Sequence, residues 1–159
     1  MQPDMCVSCG DGIINIRVGA IIIKDGEVLM VGNGNADYLY SVGGRIKFGE
    51  TAEEAVIREV FEETGVQMDV VRLAFVHENY FYGDAAIYKG KLLYEVSFYF
   101  LMRVPDYFEP ISQSFSGDNN PETLFWIKPD TPKKIYPEFF RTEAWQLSPG
   151  MKHFVTDER

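Results

Sequence analysis

The sequence predicts an α/β fold, an α/β/α sandwich around a mixed β-sheet. Three observations carry that expectation. A continuous β-branched run at 18–23 (VGAIII) reads as a strand buried on both faces, and one capped helix at 51–64 follows the first strands. More strand-like runs come after the helix, with no internal repeat and no inter-domain linker between them.

Taken in order, residues 13–17 alternate and lead into the 18–23 run. Residues 24–27 carry the Asp-Gly hairpin signal, and 28–31 return as the partner strand. The Gly32-Asn33-Gly34-Asn35 segment is expected as an exposed, mobile loop. Residues 38–42 then lead into the Gly43-Gly44 pair. Thr51 is suited to cap the helix, with Glu54 as its capping-box partner, and Gly65 suits the left-handed position that ends it. Beyond the helix, 70–77 read as a strand, 78–82 as an aromatic cluster, 83–90 as a loop and 91–104 as the longest strand. Residues 112–121 read as a polar loop or lid and 122–128 as a strand. Pro132 and Pro137 fit the first turns of two helices, the second reaching about Gln146, and 151–156 close as a short strand. Residues 1–11 are expected as a flexible tail and 12–159 as a single domain.

A chain of 159 residues with 46% hydrophobic content supports one core, burying roughly 70% of the unfolded surface. Its net charge of −9 argues against a nucleic-acid polymer as partner, because phosphate backbones are bound with Lys and Arg. A small phosphorylated substrate accompanied by metal ions is compatible with that charge. The first residues lack a basic segment followed by an apolar run, and no stretch approaches 18 apolar residues, so no membrane association and a cytoplasmic location are expected. Cys6 and Cys9 form a single CxxC, read either as reduced thiols in the tail or as an intermolecular metal or redox site. A homodimer is the commonest soluble assembly.

The acids of the helix are grouped. Glu59, Glu62 and Glu63 stand at i, i+3 and i+4, which puts their Cβ atoms roughly 5–6 Å apart on one face. Like charges that close raise one another's pKa unless something positive sits among them. Arg58 is one such group; a divalent cation is the other, and oxygen donors without His or Cys favour Mg²⁺, Mn²⁺ or Ca²⁺. Both a solvated acidic face and a metal site remain open at this point.

Residues 44–66 (GRIKFGETAEEAVIREVFEETGV) resemble the Nudix box, G-x5-E-x7-R-E-U-x-E-E-x-G-U with U a bulky aliphatic residue. Gly44, Glu50, Arg58, Glu59, Val60, Glu62, Glu63, Gly65 and Val66 meet every fixed position. The flanking strands are similar to those of Nudix hydrolases too. The resemblance implies a Nudix-type, MutT-like fold whose catalytic motif is a loop-helix-loop. It also implies Mg²⁺-dependent, or Mn²⁺-dependent, hydrolysis of a phosphoanhydride by water attack at phosphorus. The substrate implied is a nucleoside diphosphate linked to another moiety: a nucleoside triphosphate, a dinucleoside polyphosphate or a nucleotide sugar. Glu59, Glu62 and Glu63 would be metal ligands, with Glu59 or Glu63 also serving as base. Gly44 would offer its carbonyl to the cation and approach the substrate, and Arg58 paired with Glu50 would orient the loop. The alternative is a Nudix-fold module that senses a nucleotide or sugar phosphate without cleaving it.

Outside the box, Arg17 is either a surface residue or, as the resemblance implies, a bidentate ligand of the substrate phosphates. Glu95, a carboxylate inside an apolar run, is either a further metal ligand or base or a structural hydrogen-bonded acid. Tyr38, Tyr40, Phe48, Tyr80, Tyr82, Phe115 and Trp126 are available to stack on a base or to fill the core. Within the family a Pro past the box goes with ADP-ribose and a Tyr with dinucleoside polyphosphates; Tyr80-Phe81-Tyr82 stands there without a Pro, which leans away from ADP-ribose and makes Tyr82 a candidate substrate contact. His77 and His153 read as strand-end hydrogen-bonding residues.

Overall fold

The computed structural model describes residues 1–33, 37–84, 86–109 and 121–159, with the backbone alone at 114–115. Its first strands are β1 (Cys6–Cys9), β2 (Gly12–Ile21), β3 (Ile23–Lys24), β4 (Glu27–Asn33) and β5 (Tyr38–Arg45). Asp25 and Gly26 between β3 and β4 both have positive φ, as the tight Asp-Gly hairpin requires. Helix α1 (Ala52–Thr64) begins at Thr51, whose hydroxyl accepts from the Glu54 amide while the Glu54 carboxylate accepts from the Thr51 amide. It ends on Gly65 at φ 74. Then come β6 (Asp69–Tyr82), β7 (Leu92–Arg103), β8 (Ser114–Phe115), β9 (Pro121–Ile127), β10 (Lys134–Tyr136), α2 (Phe140–Glu143) and β11 (Lys152–Asp157).

The strands form a mixed sheet in the order β11-β6-β7-β2-β5-β4-β9-β8, with β1 on β2, β3 on β4 and β10 on β5. The long apolar β2 is central. It pairs in parallel with β7, placing Asn15 beside Glu95 and Arg17 beside Ser97, and antiparallel with β5, placing Arg17 beside Arg45 and Gly19 beside Gly43. Successive residues of β2 therefore serve two cores. Val18 and Ala20 join Val56 and Val60 of α1, whereas Ile21 joins Phe75, Tyr99 and Phe140 on the other side. At roughly 25 cal/mol per Å² of apolar surface, it is this burial rather than helix propensity that fixes α1 on the sheet.

Several expectations need correction. The α/β/α class stands, with the four-residue α2 packed on the second face of the sheet, but Pro132 starts no helix: residues 134–136 form β10, parallel to Tyr38–Tyr40. Residues 70–77 and the 78–82 cluster are one strand, β6. The 1–11 segment is not a loose tail. Besides β1, the Met5 amide donates to Ile46 and the Phe48 amide to Pro3, so this segment is laced to the loop that leads into α1. Gly32 and Asn33, expected in an exposed loop, are the end of β4, paired with β9 and with Gly32 buried; Gly34 and Asn35, most of the 112–121 loop and the side chain of Phe115 lie outside the described residues. Among the described residues, no helix is long and apolar enough to cross a membrane.

Candidate active site

Helix α1 passes the sheet where β5 has no side chains. The Gly43 amide donates to Glu63 Oε1 at 3.3 Å, and the Glu59 carboxylate lies so close to Gly44 that a Cβ on that residue would overlap it. A glycine pair here lets two carboxylates reach the backbone of the strand.

Arg58 binds Glu50 through two parallel hydrogen bonds, Nε to Oε1 and Nη2 to Oε2, each 3.0 Å. Its Nη1 donates to Glu59 at 2.5 Å and to Glu62 at 3.4 Å, and Nη2 also donates to the Arg45 carbonyl. The arginine thus joins the loop, the helix and the end of β5.

The three helix acids are not equivalent. Glu62 is 51% exposed, whereas Glu59 is 14% exposed and Glu63 is partly buried, with an Oε2 that has no hydrogen-bond partner. Burial pushes the Glu63 carboxyl well above its usual range; Glu122 and Glu59 push it further, while the Gly43 amide and Arg17 oppose. Burial also raises Glu59, against the hydrogen bond and charge of Arg58. Among the described residues no three acidic, His or Cys side chains are gathered into a cluster ready to hold a metal; Arg58 engages both Glu59 and the exposed Glu62. The chemistry of the group still fits a hard divalent cation. The donors are all oxygens, one buried carboxylate oxygen lacks a partner, and Gly44 brings the strand backbone directly against the Glu59 carboxylate.

Arg17 lies on the opposite face of β2 from Val18. Burial works against its charge, but Glu95, Tyr99, Glu59 and Glu63 outweigh that and raise its pKa. Among the described residues no ion pair or hydrogen bond engages its guanidinium, so it stands between the helix acids and Glu95 with its five donors available. Glu95 is held by a polar chain on β2 and β5. Its Oε2 accepts from Asn15 Nδ2 at 2.7 Å, and Asn15 Oδ1 accepts from Arg45 Nε at 3.1 Å.

Tyr82 ends β6, 54% exposed, and no hydrogen bond or ring contact joins it to this group. Of the other aromatics, Trp126 packs edge-on against the buried Phe108, Tyr80 stacks beside Tyr94, and Phe48 is exposed. His77 is buried and bonded to Thr156, and His153 meets Glu78.

Two participants escape a sequence reading. Glu122, 7% exposed at the start of β9, acts on Glu63 and accepts from the Tyr40 hydroxyl at 2.9 Å; Tyr40 in turn accepts from Asn33 Nδ2 at 3.0 Å. Asn15, 2% exposed, holds Glu95. A polar residue inside an apolar strand was a usable signal for Asn15, whereas Glu122 borders a polar loop and carries no local signal.

A family model described as a NUDIX domain matches residues 14–146. A MutT-like protein of Streptomyces ambofaciens is 33% identical over 69 residues, covering 43% of this chain and 45% of that protein. An ADP-ribose pyrophosphatase of Methanocaldococcus jannaschii is 37% identical over 67 residues, covering 40% of each. The chain thus spans less than half the length of these curated relatives. In fold it is similar to the crystal structure of a mutator MutT protein from Bacillus halodurans, with a TM-score of 0.64 at 19% identity over 91% of this chain and 92% of that one.

Proposed function

The chain belongs to the Nudix family, and from that premise we propose that it hydrolyses a phosphoanhydride bond of a nucleoside diphosphate linked to another moiety, with Mg²⁺ or Mn²⁺ as cofactor. The observation that carries this reading is the Arg17 guanidinium, without a hydrogen-bonded partner, facing Glu59 and Glu63 across the bare Gly43-Gly44 backbone. Such a pairing of an unused fork of donors with crowded carboxylates suits a diphosphate that arrives with a divalent cation, the fork taking phosphate oxygens and the acids the cation.

In this mechanism Arg17 binds the phosphate oxygens and opposes the charge that develops on them. Glu59, Glu63 and the Gly44 carbonyl would hold the cation, with Glu62 joining after leaving Arg58. When bound, the ion would lower the pKa of a water and neutralise charge on the leaving phosphate. Glu63 takes the proton of the attacking water; Glu59 is the second choice for that role. The Arg58–Glu50 fork keeps the loop and helix in register. Glu95 we assign to the substrate face, next to Arg17, rather than to the helix cluster. The two unpaired thiols, Cys6 and Cys9, are compatible with a cytoplasmic protein.

The test is a product-release screen against nucleoside triphosphates, nucleotide sugars, dinucleoside polyphosphates and ADP-ribose with either metal. ADP-ribose belongs in the panel because one relative bears that name, although Tyr80-Phe81-Tyr82 points away from it. Hydrolysis of one compound, abolished by Glu63→Gln without a drop in melting temperature, supports the proposal. Binding with no product at any metal concentration would make the protein a sensor instead.

A further inference from the structure

A cavity of about 520 Å³ lies between the ends of β4, β5, β9 and β10, a volume in the range that holds a nucleoside or sugar. It shares walls with the site already described. Asn33 lines it and donates to Tyr40, the hydroxyl that binds Glu122. Tyr38 lines it as well, its ring edge-on to that of Tyr40 with centres 6.2 Å apart. A molecule whose phosphates meet Arg17 can therefore extend into this space.

The lining has a definite chemistry. Leu39 and Phe125 give an apolar wall, and Lys133 and Lys134 stand at the side formed by β10. Lys133 Nζ lies 4.2 Å from the centre of the Phe125 ring, and Lys134 Nζ 6.0 Å from that of Tyr38. In a chain of net charge −9, neither ammonium has a carboxylate within ion-pairing distance among the described residues. Asp37 also lines the cavity, so one acid tempers the two cations without pairing with either. The backbone beneath them is fixed: Arg141 donates to the Thr131 and Lys133 carbonyls at 2.9 and 2.6 Å, and Lys134 is in register beside Tyr38. Two placed, unneutralised cations over aromatic rings favour an anionic group with a flat or apolar body.

We propose that this cavity receives the group on the far side of the diphosphate, and that this group is itself anionic, as in a second nucleotide, rather than a neutral sugar. The inference rests on the hydrolase reading above for the position of the diphosphate.

The experiment compares two compounds with the same nucleoside diphosphate, diadenosine tetraphosphate and ADP-glucose, on the wild type and on the Lys133→Gln/Lys134→Gln double variant. Both proteins are assayed for turnover with Mg²⁺ and titrated by calorimetry in chelator. The wild type should prefer diadenosine tetraphosphate, and the double variant should lose about tenfold of that preference through KM, leaving ADP-glucose unchanged. Calorimetry should show the same selective weakening. If the folded double variant binds or turns over both compounds in the wild-type ratio, the proposal falls. If neither compound is hydrolysed yet the selective weakening is measured, the cavity assignment stands and the hydrolase reading fails on its own.

Discussion

Arg58 and Glu50 meet fork to fork, two hydrogen bonds of 3.0 Å between a helix residue and the loop before it, with the Glu50 carboxylate only 11% exposed. Lysine cannot reproduce that geometry and would leave one carboxylate oxygen buried without its donor. Arg58→Lys should cost about 1–3 kcal/mol of stability by chemical denaturation. An unchanged denaturation midpoint would mean that the fork is ornamental to the fold.

Gly43 and Gly44 are neighbours whose alanine variants should fail in opposite ways. At Gly44 the atoms nearest the added methyl are the end of the Glu59 side chain, which can yield by giving up its bond to Arg58. Gly44→Ala should therefore melt near the wild type while losing turnover. At Gly43, with φ 153, the methyl meets the Val18 carbonyl and the Gly19 backbone, so Gly43→Ala should lose about 1–3 kcal/mol of stability. Equal melting temperatures for the two variants would contradict this account.

The acid cluster makes a prediction about pH. A carboxyl whose folded pKa is raised binds its proton more tightly in the folded state, so its ionisation opposes folding as the pH rises. For Glu63 this cost sets in above the ordinary value of 4.5 and is complete above the raised one. In chelator, Glu63→Gln should melt higher than the wild type at neutral pH, and the gap should close as the pH falls toward 4.5. Adding Mg²⁺ should raise the melting temperature of the wild type more than that of the variant. A variant that melts lower than the wild type at every pH would overturn the burial argument.

Arg17→Ala removes a guanidinium without a hydrogen-bonded protein partner, so little structure is lost with it. Turnover should show KM raised about tenfold or more, with the melting temperature nearly unchanged. An unaltered KM would take Arg17 away from the substrate.

Much of this architecture was legible because its signals are local. Thr51, Glu54 and Gly65 bound α1 by side-chain chemistry within a few residues of each end, and Asp25-Gly26 fixes its hairpin the same way. What was not legible depends on distant partners. Pro132 looks like a helix start, yet the chain after it is claimed by the free edge of Tyr38–Tyr40. The CVSC strand carries no apolar alternation, and its pairing is supplied by residues 12–15 and by the loop at 46–48. In the site, the spacing of the helix acids announces their shared face but not that Arg58 engages Glu59 and Glu62, because the position of Arg58 is set by Glu50. Glu122 becomes visible only when β9 pairs with β4 and brings it to Asn33.

The lacing of the opening segment to that loop ties two distant stretches of the molecule into one moving part. Amide protons at Met5 and Phe48 should exchange with solvent in step, since the first donates to Ile46 and the second to Pro3 across the same seam. Shaving off the opening nine residues would then slacken the entrance to the helix and disorder the reaction centre, although nothing removed ever touches a phosphate.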